Sequence, residues 1–379
     1  MALQHVSSAE QANHPGFRDG RPLRRDGFSH SPRLVEKAAQ TIRKLFSLAG
    51  GAFGILAISA LPGEIVPDGQ WGPQYSIENG SLKVPGIGPD NPLIYDNDWW
   101  HDIIDAGFAV AQHKLGRLNL KGLIVTRDMW KGHDQYTLET STKEFTEFRK
   151  LAVDSGLTTT PHFTPGAAAR LHRPESGKIS DTSITPTPGS NLIIAEAKMA
   201  SPAKRLVIVV GGAPTTVATA LLQDPSIAPN ILVLWLAIDQ YNANDEWASH
   251  VMLMRSAVIH YHFVLRDGLT KEMLNSLPAN PLNNKFKNSQ LVFDNGVGDG
   301  VLLAWLFDHS FITGAEKKNV TNLVGREPTQ NMPYGFLHIE NQQKRSGAIA
   351  QFMIDVLTKP EVWDANYQAP DPKPVDSRQ

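Results

Sequence analysis

Four acids fall within ten positions of the stretch Leu93-Ile94-Tyr95-Asp96-Asn97-Asp98-Trp99-Trp100-His101-Asp102-Ile103-Ile104-Asp105. Carboxylates held that closely repel one another unless a proton or a cation lies between them. A cluster of hard oxygen donors of this kind suits Ca²⁺ or Mg²⁺.

The flanking pattern says how such a cluster is positioned. Leu93 to Tyr95 is a short apolar run that predicts a strand ending in Asp96-Asn97-Asp98. Residues two apart on a strand project the same way, so Asp96 and Asp98 leave its carboxyl end together. Asp102 falls in the following loop or in the first turn of a helix running through Ala106, Phe108, Ala109 and Val110.

Further along, Leu120 to Val125 predicts a strand, and Lys143 to Ser155 a helix with Phe145, Phe148 and Leu151 on one face. Thr158 to Phe163 reads as another strand, 165–189 as loop, and Leu192 to Met199 as a helix. Leu206 to Val210 is apolar throughout, the mark of a strand buried on both faces in a parallel sheet. Gly211-Gly212-Ala213-Pro214-Thr215-Thr216 then turns into a helix through Leu222. It is not a P-loop, since no Gly-Lys-Ser/Thr follows. Ile231 to Ala237 predicts a strand, Trp247 to Ile259 a helix, and Gly300 to Phe307 another helix.

This alternation predicts an α/β domain over 93–368, a doubly wound, mostly parallel sheet with helices on both faces. Ligands of such sheets bind outside the carboxyl ends of the strands. The acid cluster, the Gly211 turn and the Gln240–Glu246 segment all belong to that edge.

Composition narrows the partners. Of 379 residues, 41% are hydrophobic and 20% charged, with a formal net charge of −2, so neither the balance nor any Lys/Arg-rich block points to nucleic acid. The absence of cysteine excludes disulfides, Cys-ligated zinc and thiol catalysis. Residues 1–35 are polar and read as disordered. Lys37, Arg43 and Lys44 precede an apolar run from Leu45 to Leu61, the pattern of an export signal or an uncleaved anchor, though short for a membrane span. A helix packed on the domain is the plainer alternative, which would leave the protein cytoplasmic rather than periplasmic, extracellular or membrane-anchored. Prolines and glycines make 62–92 a linker, and 369–379 reads as a disordered tail. Oligomeric state is not legible, and a homo-oligomer is compatible with the sequence.

Four segments, in order, resemble the calcium-dependent nucleoside hydrolases (inosine–uridine nucleoside N-ribohydrolases). Asp96-Asn97-Asp98-Trp99-Trp100-His101-Asp102-Ile103 is similar to that family's Asp-x-Asp-Pro-Gly-x-Asp-Asp, with Ile103 at the last acid, a main calcium ligand in the family. Leu206 to Ala218, continuing into Asp224-Pro225-Ser226-Ile227, resembles its central strand and Gly-Pro-Leu-Thr-Asn turn. Tyr241-Asn242-Ala243-Asn244-Asp245-Glu246 resembles its Glu-Phe-Asn…Asp-Pro-Glu-Ala segment, with a shorter loop and Gln240 in place of the Glu. Gly298-Asp299-Gly300 to Asp308 resembles its His-Asp-x-x-Ala-Val-Ala-Tyr run, with Gly298 where the family has His.

The resemblance implies hydrolysis of the N-glycosidic bond of a nucleoside or related ribosyl compound, with no nucleic-acid partner. By the same resemblance Asp96 activates the attacking water, Ca²⁺ is bound by Asp98, the Gly211 carbonyl and Asp299, and the ribose is held by Asp102 with Asn242 or Asn244. The chemistry agrees: the reaction passes through an oxocarbenium-like cation that nearby carboxylates stabilise. The leaving base needs a proton, and His101, His162, His172 and His260 are candidates that spacing does not separate.

Each assignment has a plainer alternative. Asp96, Asp98 and Asp102 suit a solvated turn and a helix N-cap, and Asp299 another N-cap. Trp99 and Trp100 can stack on a base or pack on the linker. A diverged, non-catalytic nucleoside- or sugar-binding protein of the same fold is the main competing function, favoured by Ile103 and Gly298. A phosphatase of the haloacid-dehalogenase type also uses Asp-x-Asp after a strand, but Trp100 stands where it keeps Thr or Val.

Overall fold

The computed structural model describes residues 76–78, 80–98, 103–129, 133–236, 245–262, 268–311, 315–318, 336–340 and 346–369. Two short strands, β1 (Ser76–Glu78) and β2 (Ser81–Lys83), pair antiparallel. Leu82, Val84 and Ile87 are buried in the main core, so this part of the segment read as a linker is packed structure. Proline and glycine content there marks turns between small anchors rather than a free tether.

The main sheet contains β3 (Leu93–Asn97), β4 (Leu120–Val125), β5 (Phe163–Pro165), β6 (Leu206–Val210), β7 (Ile231–Leu236), β8 (Ala257–His262), β9 (Ala315–Lys318) and β10 (Phe336–Glu340). Their spatial order is β5-β4-β3-β6-β7-β8-β10-β9, all parallel except β9, which runs antiparallel to β10. The predicted doubly wound α/β architecture is therefore the observed one. The chain winds outward from β3 on one side and from β6 on the other. The switch point, where the crevice of such sheets opens, lies between the carboxyl ends of β3 and β6.

Strand alternation divides the core into two layers. Leu93, Tyr95, Leu123, Val125, Val207, Val209, Leu232 and Leu234 face one side. There they meet Phe108 of α1 (Ile103–Lys114) and Phe145 and Phe148 of α2 (Leu138–Asp154). Ile94, Ile124, Ile208, Val210, Val233 and Trp235 face the other. They meet Ile193 of α3 (Pro188–Met199), Val217 and Leu221 of α4 (Thr215–Gln223) and Met252 of α5 (Glu246–Arg255). The first layer is completed by Leu274 of α6 (Lys271–Ser276), Phe286 of α7 (Pro281–Asn288), Val292 of α8 (Gln290–Asn295), Trp305 of α9 (Gly300–Phe307) and Ile354 of α10 (Ser346–Leu357). A last short helix, α11 (Pro360–Trp363), is held by Lys114, whose buried ammonium donates to the carbonyls of Gly156, Val362 and Asp364.

Four boundaries differ from the sequence reading. The helix expected over Trp247 to Ile259 stops at Arg255, and Ala257–His262 is β8, hydrogen-bonded in parallel to Leu232–Leu236. Its apolar run satisfies either period, and the open edge of β7 decides it. The strand expected over 158–163 is β5 at Phe163–Pro165, preceded by a turn. Helices α2 and α3 start several residues early because Thr137 with Thr140, and Thr187 with Ser190, form reciprocal capping boxes. In both, a hydroxyl replaces the usual Glu or Gln.

Candidate functional site

Asp96 is the last residue of β3 paired with β6, opposite Val210, and its carbonyl accepts the Gly211 N–H at 3.0 Å. Alternation sends consecutive residues to opposite faces. Asp96 therefore lies on the α4 side with Ile94, and Asn97 on the α1/α9 side with Tyr95.

On the α4 side Asp96 is fully buried. Thr126, the first residue after β4, donates its hydroxyl to Asp96 Oδ1 at 2.5 Å. Thr126 Oγ1 lies 2.6 Å from Thr216 Oγ1, and Thr216 Oγ1 accepts the Ala167 N–H at 2.9 Å. Asp96 Oδ2 has no hydrogen-bond partner among the described residues. Burial pushes the Asp96 carboxyl up from 3.8 to about 7, against the Thr126 hydrogen bond, which pulls it down. A carboxyl group that titrates near neutrality and keeps one oxygen unpartnered among the described residues is suited to taking a proton from water.

On the other face Asn97 Nδ2 donates to Asp299 Oδ2 at 2.8 Å and to the Tyr95 hydroxyl at 3.3 Å, while Asn97 Oδ1 accepts the Asp98 N–H at 2.7 Å. Asp299 occupies the N-cap position of α9 but makes no capping hydrogen bond with its side chain. The plainer N-cap role for Asp299 thus does not hold. Asp105, from α1, takes that duty instead: its Oδ2 accepts the Gly300 N–H at 2.8 Å. Asp105 is thereby tied through Oδ2 to the start of α9.

Asp98, Gly211 and Asp299, the candidate metal ligands, do come together. A methyl group on Gly211 would lie 1.9 Å from Asp299 Oδ2, and one on Gly212 would lie 3.4 Å from the Asp98 carboxyl carbon. Two carboxylates, each 4% exposed, thus rest on adjacent glycines at the mouth of the β3/β6 crevice. The donors are hard oxygens of the type Ca²⁺ takes. They are fewer than the roughly six to eight it requires, and among the described residues no three His, Asp or Glu side chains form a metal cluster. Water and substrate hydroxyls, or residues outside the described set, would have to complete the shell.

The ribose candidates Asp102, Asn242 and Asn244 lie outside the described residues, as do Trp99, Trp100, His101 and the 45–61 segment. Among the described residues no helix is long and apolar enough to cross a membrane. Of the other histidine candidates, His162 immediately precedes β5, whose first residue pairs with Leu123 of β4. His172 is exposed, and His260 is buried in β8 with its ring stacked on Trp235 at 5.1 Å.

Several residues at the crevice were not anticipated. Thr126 and Thr216 hold the Asp96 carboxylate. Thr215 donates to Asp245 Oδ2 at 2.7 Å, which also accepts the Leu171 N–H at 2.9 Å, while Asp245 Oδ1 caps α5 through Ala248 N–H. Burial raises the Asp245 carboxyl, and these hydrogen bonds oppose the rise. In the loop after β4, His133 Nδ1 lies 2.6 Å from the buried Asp128 carboxylate. Threonines carry no spacing signature of their own. Asp128 and His133, five apart just beyond a predicted strand, were the one pair that position could have flagged.

No family model matches the sequence, and no curated protein gives a significant match. Among solved structures, a plant nucleoside hydrolase is similar with a TM-score of 0.50 at 14% identity, over 72% of this chain and 100% of that one. An inosine–guanosine nucleoside hydrolase gives 0.51 at 15% identity, over 70% of this chain and 98% of its own. At these identities the likeness is one of fold. The protein is an α/β protein with a doubly wound, mostly parallel sheet, and its fold is that of the nucleoside hydrolases, as the four sequence segments led one to expect.

Proposed function

We propose that the protein hydrolyses the N-glycosidic bond of a nucleoside or related ribosyl compound, with Asp96 as the base that activates water. The observation that carries this reading is Asp96 itself: buried at the switch point, raised to about 7, held through one oxygen and, among the described residues, without a partner at the other. In the reaction, water oxygen bonds to the anomeric carbon as the carbon–nitrogen bond breaks. The water proton passes to Asp96, and the bond's electron pair leaves with the base.

Asp98 and Asp299 present negative charge to the developing ribosyl cation, and Asp102 with Asn242 or Asn244 binds the ribose hydroxyls. Ca²⁺, when bound, would be held by Asp98, Asp299 and the Gly211 carbonyl and would supply charge that orders the water and the vicinal hydroxyls. His133, bonded through Nδ1 to Asp128 in the loop after β4, is the histidine to which this reading gives protonation of the leaving base. Under the same proposal residues 45–61 direct export or anchoring, which fractionation of cells expressing the full chain tests.

A second reading, a non-catalytic nucleoside- or sugar-binding protein, is favoured by two observations. Ile103 is 6% exposed where the resembling family keeps a carboxylate, and an amide hydrogen of Asn97 sits on Asp299. Base release from inosine, guanosine, uridine and cytidine, assayed with Ca²⁺ and with a chelator, separates the two. Release that stops with chelator supports the hydrolase. Calorimetric binding of a nucleoside with no release under Ca²⁺ overturns it in favour of the binding protein.

A further inference from the structure

We infer that Thr126 and Thr216 are positioning residues that choose which oxygen of Asp96 acts as the base, an inference that rests on Asp96 having that role. Thr126 has a single hydroxyl proton, and its 2.5 Å contact with Asp96 Oδ1 uses it. The 2.6 Å contact between Thr126 and Thr216 must then be donated by Thr216. Thr216 in turn accepts the Ala167 N–H at 2.9 Å, which leaves its own proton for Thr126. The chain runs one way, from Ala167 N–H to Thr216, from Thr216 to Thr126, and from Thr126 to Oδ1.

It ends on a backbone amide whose donor cannot be reversed. Oδ1 is therefore occupied by a hydroxyl proton, and the proton taken from water goes to Oδ2, the oxygen with no partner among the described residues. The carboxylate is also locked against rotation about its Cβ–Cγ bond, which keeps Oδ2 in one place for the incoming water.

Three elements converge to build this chain, which argues against accident. Thr126 leaves the end of β4 beside Asn97, whose carbonyl accepts the Thr126 N–H at 2.9 Å. Thr216 lies in the first turn of α4, and both threonines are fully buried. Gly166, after β5, completes the enclosure. A Cβ there would lie 2.5 Å from Thr216 Oγ1 and 2.6 Å from Thr126 Oγ1, so only glycine leaves room for the two hydroxyls.

The test is an isosteric pair at each position, Thr126→Val and Thr126→Ser, Thr216→Val and Thr216→Ser. Base release from inosine and uridine gives kcat and KM, and thermal unfolding checks folding. Thr126→Val is expected to lower kcat by roughly tenfold to a hundredfold, the loss of one hydrogen bond to a charged group, and Thr216→Val by no more than that, with KM within about twofold in both. The serine variants recover most of the rate. The double valine variant is no slower than Thr126→Val alone, because the residues act in series. Wild-type kcat in Thr126→Val, or serine variants as slow as valine variants, overturns the inference.

A crystal structure of Thr126→Val supplies an arm independent of turnover. The Asp96 carboxylate is expected to rotate away from its wild-type plane, and an unmoved carboxylate overturns the inference. If the wild-type protein releases no base from any nucleoside, the hydrolase reading fails, while the carboxylate orientation still decides the positioning role.

Discussion

Asp96 and Asn97 are neighbours in sequence, yet the strand assigns them to different chemistry. Asp96 turns to the threonine chain, while Asn97 turns to Asp299 and Tyr95. Asp96→Asn keeps the shape and the acceptor for Thr126 but cannot take a proton, so kcat for base release is expected to fall by roughly 10²- to 10⁴-fold with nucleoside affinity retained. An unchanged rate removes Asp96 as the base. At Gly211 the constraint is space rather than backbone conformation. A methyl group would collide with Asp299 Oδ2 and with Asn97 Nδ2, 1.9 Å and 2.7 Å away. Gly211→Ala is expected to cost about 1–3 kcal/mol in urea denaturation, as overpacking does. It should also abolish any rise in melting temperature that Ca²⁺ gives the wild type. A variant with wild-type stability and an intact Ca²⁺ response contradicts the packing described here. Gly298 is a different case: its φ of +45° is left-handed, so the histidine found at that place in the resembling family would be strained there. Loss of that histidine and a left-handed backbone that favours glycine go together in this chain.

At the scale of elements, the start of α4 organises the crevice. Thr215 and Thr216 are consecutive, and each serves a different acid: Thr216 reaches Asp96 through Thr126, and Thr215 bonds Asp245 directly. Asp245 in turn caps α5 and ties down Leu171 of the loop beyond β5. Thr215→Val leaves Asp245 buried with one donor fewer, and its expected cost is about 1–3 kcal/mol. Hydrogen exchange checks the location: protection should fall first in the opening turn of α5, and a uniform change across the domain would contradict the assignment. Much of this layer was legible in the sequence. Leu206–Val210 and Gly300–Phe307 were readable because continuous apolar runs between turn residues leave little choice. What was not legible depends on partners distant in the chain. The run after Arg255 becomes β8 because β7 offers it hydrogen bonds, and Thr126 gains a role because Thr216, ninety residues on, lies beside it. The Asp299 position was found by resemblance, but its release from capping was visible only once Asp105 was seen to bond Gly300.

For the molecule as a whole, stability should depend on pH through a group outside the crevice. His250 of α5 is 3% exposed, stacks on Trp247 at 4.8 Å, and has Arg173 nearby, which also lies over the Trp247 ring. Burial, with the charge of Arg173 adding to it, pushes the imidazole down from 6.5 to about 4. Between those values the unfolded chain binds the proton and the folded protein does not, so acid favours unfolding there. The stability that a neutral His250 contributes is fully present above about pH 6.5 and is lost as pH drops toward 4. Two and a half pH units at 1.36 kcal/mol each set the loss on the order of 3 kcal/mol. His250→Gln fills the same space without titrating. Melting temperatures of the two proteins, followed from pH 8 to pH 4, should diverge below about 6.5, the wild type falling several degrees further. Parallel curves would mean that His250 takes up its proton in the folded state and that the Trp247–Arg173 enclosure opens to admit it. The slope therefore reports how tightly the α5 layer closes over the sheet, the same layer that Asp245 and Thr215 join to the crevice.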